Sequence, residues 1–168
     1  PPLSASAAPP PVPLMRKPLN IAPRTSSALV APAATSMGRL GPVVEGTTTP
    51  RVDKGPVRGE WVCAPGVERS GRVILYLHGS AYVICSARTH RGLASSLSKA
   101  TGLAVFTVDY RLAPEYAFPA AADDIESAYR WLLAAGHAAE DIVVAGDSAG
   151  GHLAACCGVV PGLDDIKK

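Results

Sequence analysis

A serine flanked by small residues lies in the second half of the sequence, at Ser148 within the segment G-D-S-A-G. The segment matches G-x-S-x-G, between an apolar run that predicts a buried strand and a small-residue run that predicts a helix. Such a turn strains the serine and exposes its Oγ, and its neighbours must be small because backbone passes close to them. The N–H groups that open the helix favour the negative charge that develops on a substrate oxygen. We therefore predict that Ser148 is the nucleophile of an acyl transfer. The predicted elbow residues are Gly146, Asp147, Gly150 and Gly151.

A second loop of small residues, H-G-S-A-Y at 78–82, directly follows another apolar run. Loops at the same end of two parallel strands can converge, and backbone N–H groups there can reach the oxygen that the amide of Ala149 reaches. Without Ser148 the loop is more typical of a plain turn. Together, the two loops predict an oxyanion hole.

Composition excludes several classes of function. The net charge is +2 with 18% charged residues, so no basic stripe or acidic tail predicts a nucleic-acid or membrane-surface partner. No apolar run reaches the roughly 18 residues of a membrane-spanning helix. The cysteines lack zinc or C-x-x-C spacing and are interpreted as free, mostly buried thiols. They are Cys63, Cys85, Cys156 and Cys157.

Proline dominates the beginning of the sequence, since twelve of the sixteen prolines fall within the first 56 residues. We predict that residues 1–56 are a disordered lead-in or the remnant of a cap. Four basic and no acidic residues before Val44 also fit a targeting leader. Pro23 and Pro32 would interrupt an amphipathic helix there, which favours the lead-in, and with it a cytoplasmic location.

From Val57 onward, apolar runs alternate with helical spacings, and residues 57–158 are predicted to form one partial domain, followed by an atypical tail at 159–168. The predicted elements are an edge strand at 57–62, buried strands at 73–77, 104–108 and 142–145, and helices that end at Gly102 and Gly136. Strands alternating with helices predict βαβ units. The predicted fold class is α/β, a doubly wound, mostly parallel sheet that is incomplete at its C-terminal side.

Three segments together, G-D-S-A-G-G at 146–151, H-G-S-A-Y at 78–82 and D-Y-R-L-A-P-E at 109–115, resemble the hormone-sensitive lipase family of α/β-hydrolases. The resemblance spans about residues 57–157. It implies hydrolysis of short to medium acyl esters through a serine, without a metal or organic cofactor, beneath an N-terminal cap. The implied oxyanion donors are the amides of Gly79, Ser80, Ala81 and Ala149. The family loop is usually H-G-G-G, so Ser80 and Ala81 depart from it and lack the freedom of glycine to adopt positive φ.

We predict that the remaining polar residues support the structure and do not take part in catalysis. The resemblance implies that His78 is a hydrogen-bonding support of the loop, and Asp109, Arg111 and Glu115 are predicted to tie down the loop after the second buried strand. His152 is disfavoured as a general base because its ring should point away from Oγ. His90 and His137 are interpreted as surface or helix-end residues, and Asp123 and Asp124 as acids of a first helical turn.

A complete triad in this fold runs serine, acid, histidine along the chain. Only twenty residues follow Ser148, with Asp164 and Asp165 but no histidine beyond His152. We therefore expect a truncated or frame-disrupted esterase, weak or inactive alone, whose partner is a small ester or acyl substrate. Two alternatives stay open: a non-catalytic binding or regulatory module, and half of a split enzyme completed by a C-terminal half or by another copy.

Overall fold

The structure is a computed structural model in which residues 41–156 are described. The strands are β1 Arg51–Lys54, β2 Val57–Val62, β3 Val73–Leu77, β4 Ala104–Val108 and β5 Ile142–Gly146. The helices are α1 Arg91–Thr101, α2 Ala120–Ala134 and α3 Ala149–Cys156. Short 3₁₀ segments at Ala87–His90 and Ala139–Asp141 precede α1 and β5. The predicted tail at 159–168 and the lead-in up to residue 40 lie outside the described residues.

The five strands form one sheet in the order β1-β2-β4-β3-β5. β3 pairs in parallel with both β4 and β5. β2 is antiparallel to both of its neighbours, so β1, β3, β4 and β5 all run in the same direction and only β2 opposes them. The predicted mostly parallel sheet is confirmed.

The strand β2 is not at the edge of the sheet, and this part of the sequence prediction is wrong. A hairpin places β1 outside it, with Lys54 opposite Val57 across the two-residue turn Gly55-Pro56. Gly55 has φ +64°, which glycine adopts without strain. Ordered structure therefore begins before Val57. The four residues R-V-D-K of β1 escaped prediction because they are mostly exposed and charged, as suits a short edge strand.

Helices cover both faces of the sheet, as the doubly wound prediction requires. Successive residues of β3 point to opposite faces, so Leu75 packs with the core beneath α2 and α3, whereas Ile74 packs with the core beneath α1. The first core also contains Ile125 of α2 and Leu153 of α3. The second core receives Ala94 of α1.

Both long helices end where the sequence predicts. Gly102 is in the left-handed region at φ +70° and donates its amide to the carbonyl of Ser98 at 2.8 Å, which caps α1. Helix α2 begins after Pro119 and ends just before Gly136, whose φ is +99°. At 15 residues, α2 is the longest helix described, and no helix between residues 41 and 156 has both the length and the apolar character to span a membrane.

The strand β5 forms one edge of the described sheet. It pairs with β3 on one side, and within residues 41–156 no strand pairs with its other side. Its sequence I-V-V-A-G carries no charge, and the side chain of Val143 is 44% exposed. Edge strands usually carry charge or proline, so β5 has the composition of an interior strand at an edge position.

Candidate active site

Ser148 lies on the sharp turn between β5 and α3. Its φ is +48°, in the left-handed region that residues other than glycine rarely adopt. Strained backbone of this kind is concentrated at functional sites, where the surrounding structure enforces it. The strand before Ser148 and the helix after it are those that the G-x-S-x-G interpretation requires.

The glycines around Ser148 are required because the end of β3 presses against the turn. A Cβ on Gly150 would lie 1.9 Å from the carbonyl oxygen of Leu77, and a Cβ on Gly146 would lie 2.7 Å from the same oxygen. Neither distance is sterically possible. Gly151 is less crowded, with 3.3 Å to the carbonyl oxygen of Gly146. The elbow therefore packs directly on the strand from which the second loop departs.

The two predicted loops meet because their strands are in register. Leu77 at the end of β3 lies opposite Gly146 at the end of β5. Asp147 then joins the loops, since its Oδ1 accepts hydrogen bonds from the amide of Gly79 and from the hydroxyl of Tyr76, both at 2.7 Å. A Cβ on Gly79 would lie 2.1 Å from Asp147 Oδ2, so only glycine permits this approach.

The hydrogen bond to Asp147 corrects the expected role of Gly79. Its amide was predicted to face the substrate oxygen, but it is already engaged by a carboxylate. By contrast, the amides of Ser80 and Ala81 donate no hydrogen bond to any acceptor within residues 41–156. Ala149 opens helix α3, where the first amides have no partner inside the helix. Among the amides of the two loops, those of Ser80, Ala81 and Ala149 are therefore the predicted donors that have no acceptor within residues 41–156.

The departures from glycine in this loop have different conformational consequences. Ser80 is not in the left-handed region, so it has no need of glycine's freedom there. Ala81 and Tyr82 are in that region, with φ of +44° and +65°. The surrounding hydrogen bonds must offset that strain.

His78 is a buried support beneath the loop. Its ring is fully buried and stacks on Tyr110 with the ring centres 4.4 Å apart. Its Nδ1 contacts the carbonyl of Gly79 at 3.3 Å. Burial lowers the pKa of His78 to about 4, so the imidazole is neutral at neutral pH. A neutral ring fits the structural role that was expected of it.

His152 lies one turn beyond Ser148, and its amide donates to the carbonyl of Ser148 at 3.0 Å. Its Nδ1 hydrogen-bonds the hydroxyl of Tyr82, and the two rings are nearly perpendicular, at 87°. This contact links α3 to the loop at 78–82, called the oxyanion loop below. His90, interpreted from the sequence as a surface or helix-end residue, is 1% exposed, so the surface alternative is wrong. Its Nε2 lies 3.7 Å from Asp147 Oδ2.

The three charged residues that follow β4 and were predicted to support the loop have different surroundings. Asp109 accepts the amide of Ala87 at 2.6 Å, and burial raises the pKa of this carboxyl. Arg111 pairs with Asp124 at 2.8 Å, so Asp124 is a buried ion-pair partner rather than only a first-turn acid. Glu115 is exposed and forms no hydrogen bond or ion pair within the described residues, so its expected supporting role is not seen.

Sequence reasoning missed two tyrosines that shape the site. Tyr76 binds Asp147 from β3, and Tyr110 lies under the oxyanion loop, where its hydroxyl hydrogen-bonds the carbonyl of His78. Burial is the main cause that raises the pKa of Tyr110 to about 12. The available signal was position, since Tyr76 lies near the carboxyl end of β3 and Tyr110 lies two residues beyond the end of β4.

Two of the four cysteines can be described. Cys63 is buried and Cys85 is half-buried, and both are free thiols. Burial raises the pKa of Cys63. The side chains of Cys156 and Cys157 lie outside the described part of the chain.

Comparisons with a family model, with curated proteins and with solved structures all point to the same family. The family model described as alpha/beta hydrolase fold matches residues 74–160, more than half of the chain. The carboxylesterase/phospholipase LipF of Mycobacterium tuberculosis is 41% identical over 126 residues, which cover 73% of this chain and 34% of LipF.

Solved structures agree in fold. A crystal structure of EstE5 soaked with p-nitrophenyl butyrate superposes with a TM-score of 0.74 at 36% identity, covering 88% of this chain and 50% of that one. An esterase from the bacterial hormone-sensitive lipase family gives 0.65 at 45% identity, covering 75% and 40%. The chain thus spans a third to a half of the length of these relatives. It is similar to esterases of the hormone-sensitive lipase group, and it belongs to the α/β-hydrolase family.

Proposed function

We propose that this chain supplies the serine nucleophile and the oxyanion hole of a carboxylic-ester hydrolase that works through an acyl-enzyme. The observation that carries the proposal is the union of two loops. The strained elbow at Ser148 is tied through Asp147 to a loop in which the amides of Ser80 and Ala81 have no acceptor among residues 41–156. A strained nucleophile and unpaired amides, together at the carboxyl ends of neighbouring strands, are two of the parts that acyl transfer through a serine requires.

The chemistry assigned to the site is conventional acyl transfer. Ser148 Oγ attacks the ester carbonyl carbon, and the electron pair of the carbonyl moves to its oxygen. The amides of Ser80, Ala81 and Ala149 stabilise this oxyanion. The serine proton passes to a base, the alcohol leaves as the carbonyl re-forms, and water later releases the acid from the serine.

We assign the base and its orienting acid to a complementary segment rather than to the described residues. Triads in this fold follow the order serine, acid, histidine, and His152 is the single histidine after Ser148 in the sequence. The Nδ1 of His152 is hydrogen-bonded to Tyr82. The uncharged edge of β5 favours assembly with such a segment, because an interior-type strand gains a hydrogen-bonded neighbour there.

Short-chain esters are the proposed substrates, since the structure of the similar esterase EstE5 was soaked with p-nitrophenyl butyrate. The test is to incubate the full chain with this ester and to follow butyrylation of Ser148 by mass spectrometry. We expect a butyryl adduct to form slowly on Ser148, because the oxyanion hole accelerates attack even when water instead of a histidine takes the serine proton. Its hydrolysis should also be slow, because that step lacks the same base.

The control for this test is Ser148→Ala, which should acquire no adduct, together with Ser127→Ala at a half-buried serine of α2, which should behave as the unaltered chain. Equal acylation of the chain and of Ser148→Ala would contradict the proposal and favour a non-catalytic binding module. Rapid turnover that is lost in His152→Ala would instead place a base within the chain.

A further inference from the structure

We infer that the side chain of Ser80 is a positioning residue for the oxyanion hole, a role that glycine at this position could not fill. The inference rests on the proposed function. Ser80 is only 3% exposed, so its hydroxyl points into the protein. Its oxygen lies 2.9 Å from the amide of Tyr82 and 2.8 Å from the hydroxyl of Tyr110.

The directions of these hydrogen bonds are determined by proton counting. Tyr110 donates its single hydroxyl proton to the carbonyl of His78. Ser80 must therefore donate its proton to Tyr110, and its oxygen accepts the amide of Tyr82. The result is a continuous relay from the Tyr82 amide through Ser80 and Tyr110 to the His78 carbonyl. Such chains strengthen each member through polarisation.

The relay and Asp147 together hold both ends of the segment that carries the unpaired amides of Ser80 and Ala81. At one end, the peptide between His78 and Gly79 is fixed on both sides, its carbonyl by Tyr110 and its amide by Asp147. At the other end, the amide of Tyr82 is fixed by Ser80 Oγ.

The amides of Ser80 and Ala81 lie between these two anchors. The carbonyl of Ser80 is held as well, because it accepts the amides of Val83 and Ile84, each at 2.9 Å. Donors that are fixed before the reaction lose no free energy to reorganisation when the oxyanion forms.

The hydroxyl also explains how the loop maintains its strain. Ala81 and Tyr82 both have positive φ, and neither is glycine. A hydrogen bond from the Tyr82 amide back to Ser80 Oγ closes a tight turn around Ala81, and the bonds from the Val83 and Ile84 amides to the Ser80 carbonyl span Tyr82 as well. Where glycine adopts positive φ without strain, this chain uses a side-chain acceptor to enforce it.

The test compares Ser80→Ala with a matched control, Ser98→Ala. Ser98 is also fully buried, and its Oγ accepts the amide of Ala64 at 3.0 Å, remote from the loop. Both variants lose a side-chain acceptor for a backbone amide, and Ser80→Ala also loses the hydrogen bond to Tyr110. The readout is the rate at which an alkyl fluorophosphonate phosphonylates Ser148 in the full chain, together with amide hydrogen exchange.

We expect Ser80→Ala to slow phosphonylation by about tenfold, whereas Ser98→Ala leaves the rate within about twofold. Ser80→Gly should slow it at least as much, because glycine further loosens the loop. Exchange at the amides of Tyr82, Val83 and Ile84 should accelerate about tenfold in Ser80→Ala and remain unchanged in Ser98→Ala.

A rate that falls equally in Ser80→Ala and Ser98→Ala would overturn the inference, because it would show only lost stability. Unchanged exchange at Tyr82 in Ser80→Ala would overturn it as well. If the unaltered chain is not phosphonylated at Ser148, the proposed function fails, and the exchange comparison still decides whether Ser80 positions the loop. Tyr110→Phe gives a second route if Ser80 variants do not fold, and it should reproduce the same faster exchange.

Discussion

The elbow at Ser148 and the loop at 78–82 follow the carboxyl ends of β5 and β3, whose last residues are paired in register. Different interactions fix the conformations of these two segments. The elbow is fixed by crowding, since Gly146 and Gly150 press on the carbonyl of Leu77. The loop is fixed by hydrogen bonds that Asp147 accepts and by those that Ser80 and Tyr110 form with each other and with the loop backbone. Backbone crowding at the elbow requires glycine at fixed positions, so it produces a recognisable sequence motif. Many different side chains can supply the hydrogen bonds that support a loop, so they produce no such motif.

The largest effect is expected where crowding is most severe. Gly150→Ala should destabilise the chain by at least about 4 kcal/mol or prevent folding, because its Cβ would lie 1.9 Å from the carbonyl oxygen of Leu77. Urea unfolding followed by circular dichroism measures this. Gly151→Ala is the matched control and should stay within about 1 kcal/mol of the unaltered chain, since helix propensity offsets its tight contact. Similar stabilities for the two variants would contradict the crowding account.

A smaller effect is expected from pH at His78. Its pKa is about 4 when folded, against 6.5 when unfolded, so between these values the unfolded chain binds the proton and the folded chain does not. Protonation therefore favours unfolding, and His78 should remove about 3 kcal/mol of stability as pH falls from above 6.5 to 4. Urea unfolding at successive pH values measures the loss.

The control for the pH effect is His78→Phe, which keeps an aromatic ring against Tyr110 and should flatten the profile in this window. The raised pKa of Asp109 acts with the opposite sign, but it is common to both proteins and cancels in the difference. Identical profiles for the chain and His78→Phe would refute the assignment.

The smallest effect tests the link between the two regions. Asp147→Ala removes a carboxylate from the amide of Gly79 and from the hydroxyl of Tyr76, and should cost about 2 kcal/mol. Tyr76→Phe removes only the second bond and should cost about 1 kcal/mol. Hydrogen exchange at the Gly79 amide should accelerate in Asp147→Ala alone. Acceleration of similar size in Tyr76→Phe would show that Asp147 does not act directly on this amide.

The sequence predicts the elbow better than the loop for physical reasons. The strained serine and its glycines follow from backbone contacts that any such turn must make, so the motif indicates them directly. The sequence did not predict that the Gly79 amide is bonded to Asp147, because this bond depends on a register between strands distant in sequence. The contacts of Tyr110 with His78 and Ser80 were not predicted either, because these residues are also distant from it in sequence.

At the level of the fold, buried strands and capped helices were predicted because their apolar runs and terminal glycines are local signals. The strand β1 was missed because an exposed, charged strand carries no such signal. The burial of His90 was also missed, since it depends on the packing of α1 against the site rather than on neighbouring residues.

The most direct test of the account is to label the folded full chain with an alkyl fluorophosphonate and to map the modified residue by peptide mass spectrometry. The account predicts that Ser148 reacts at least about tenfold faster than any other serine, and that unfolding in urea abolishes this preference. Ser148→Ala should remain unlabelled under the same conditions. Labelling spread evenly over the serines, or equal before and after unfolding, would contradict the assignment of Ser148 as a nucleophile in a formed oxyanion hole.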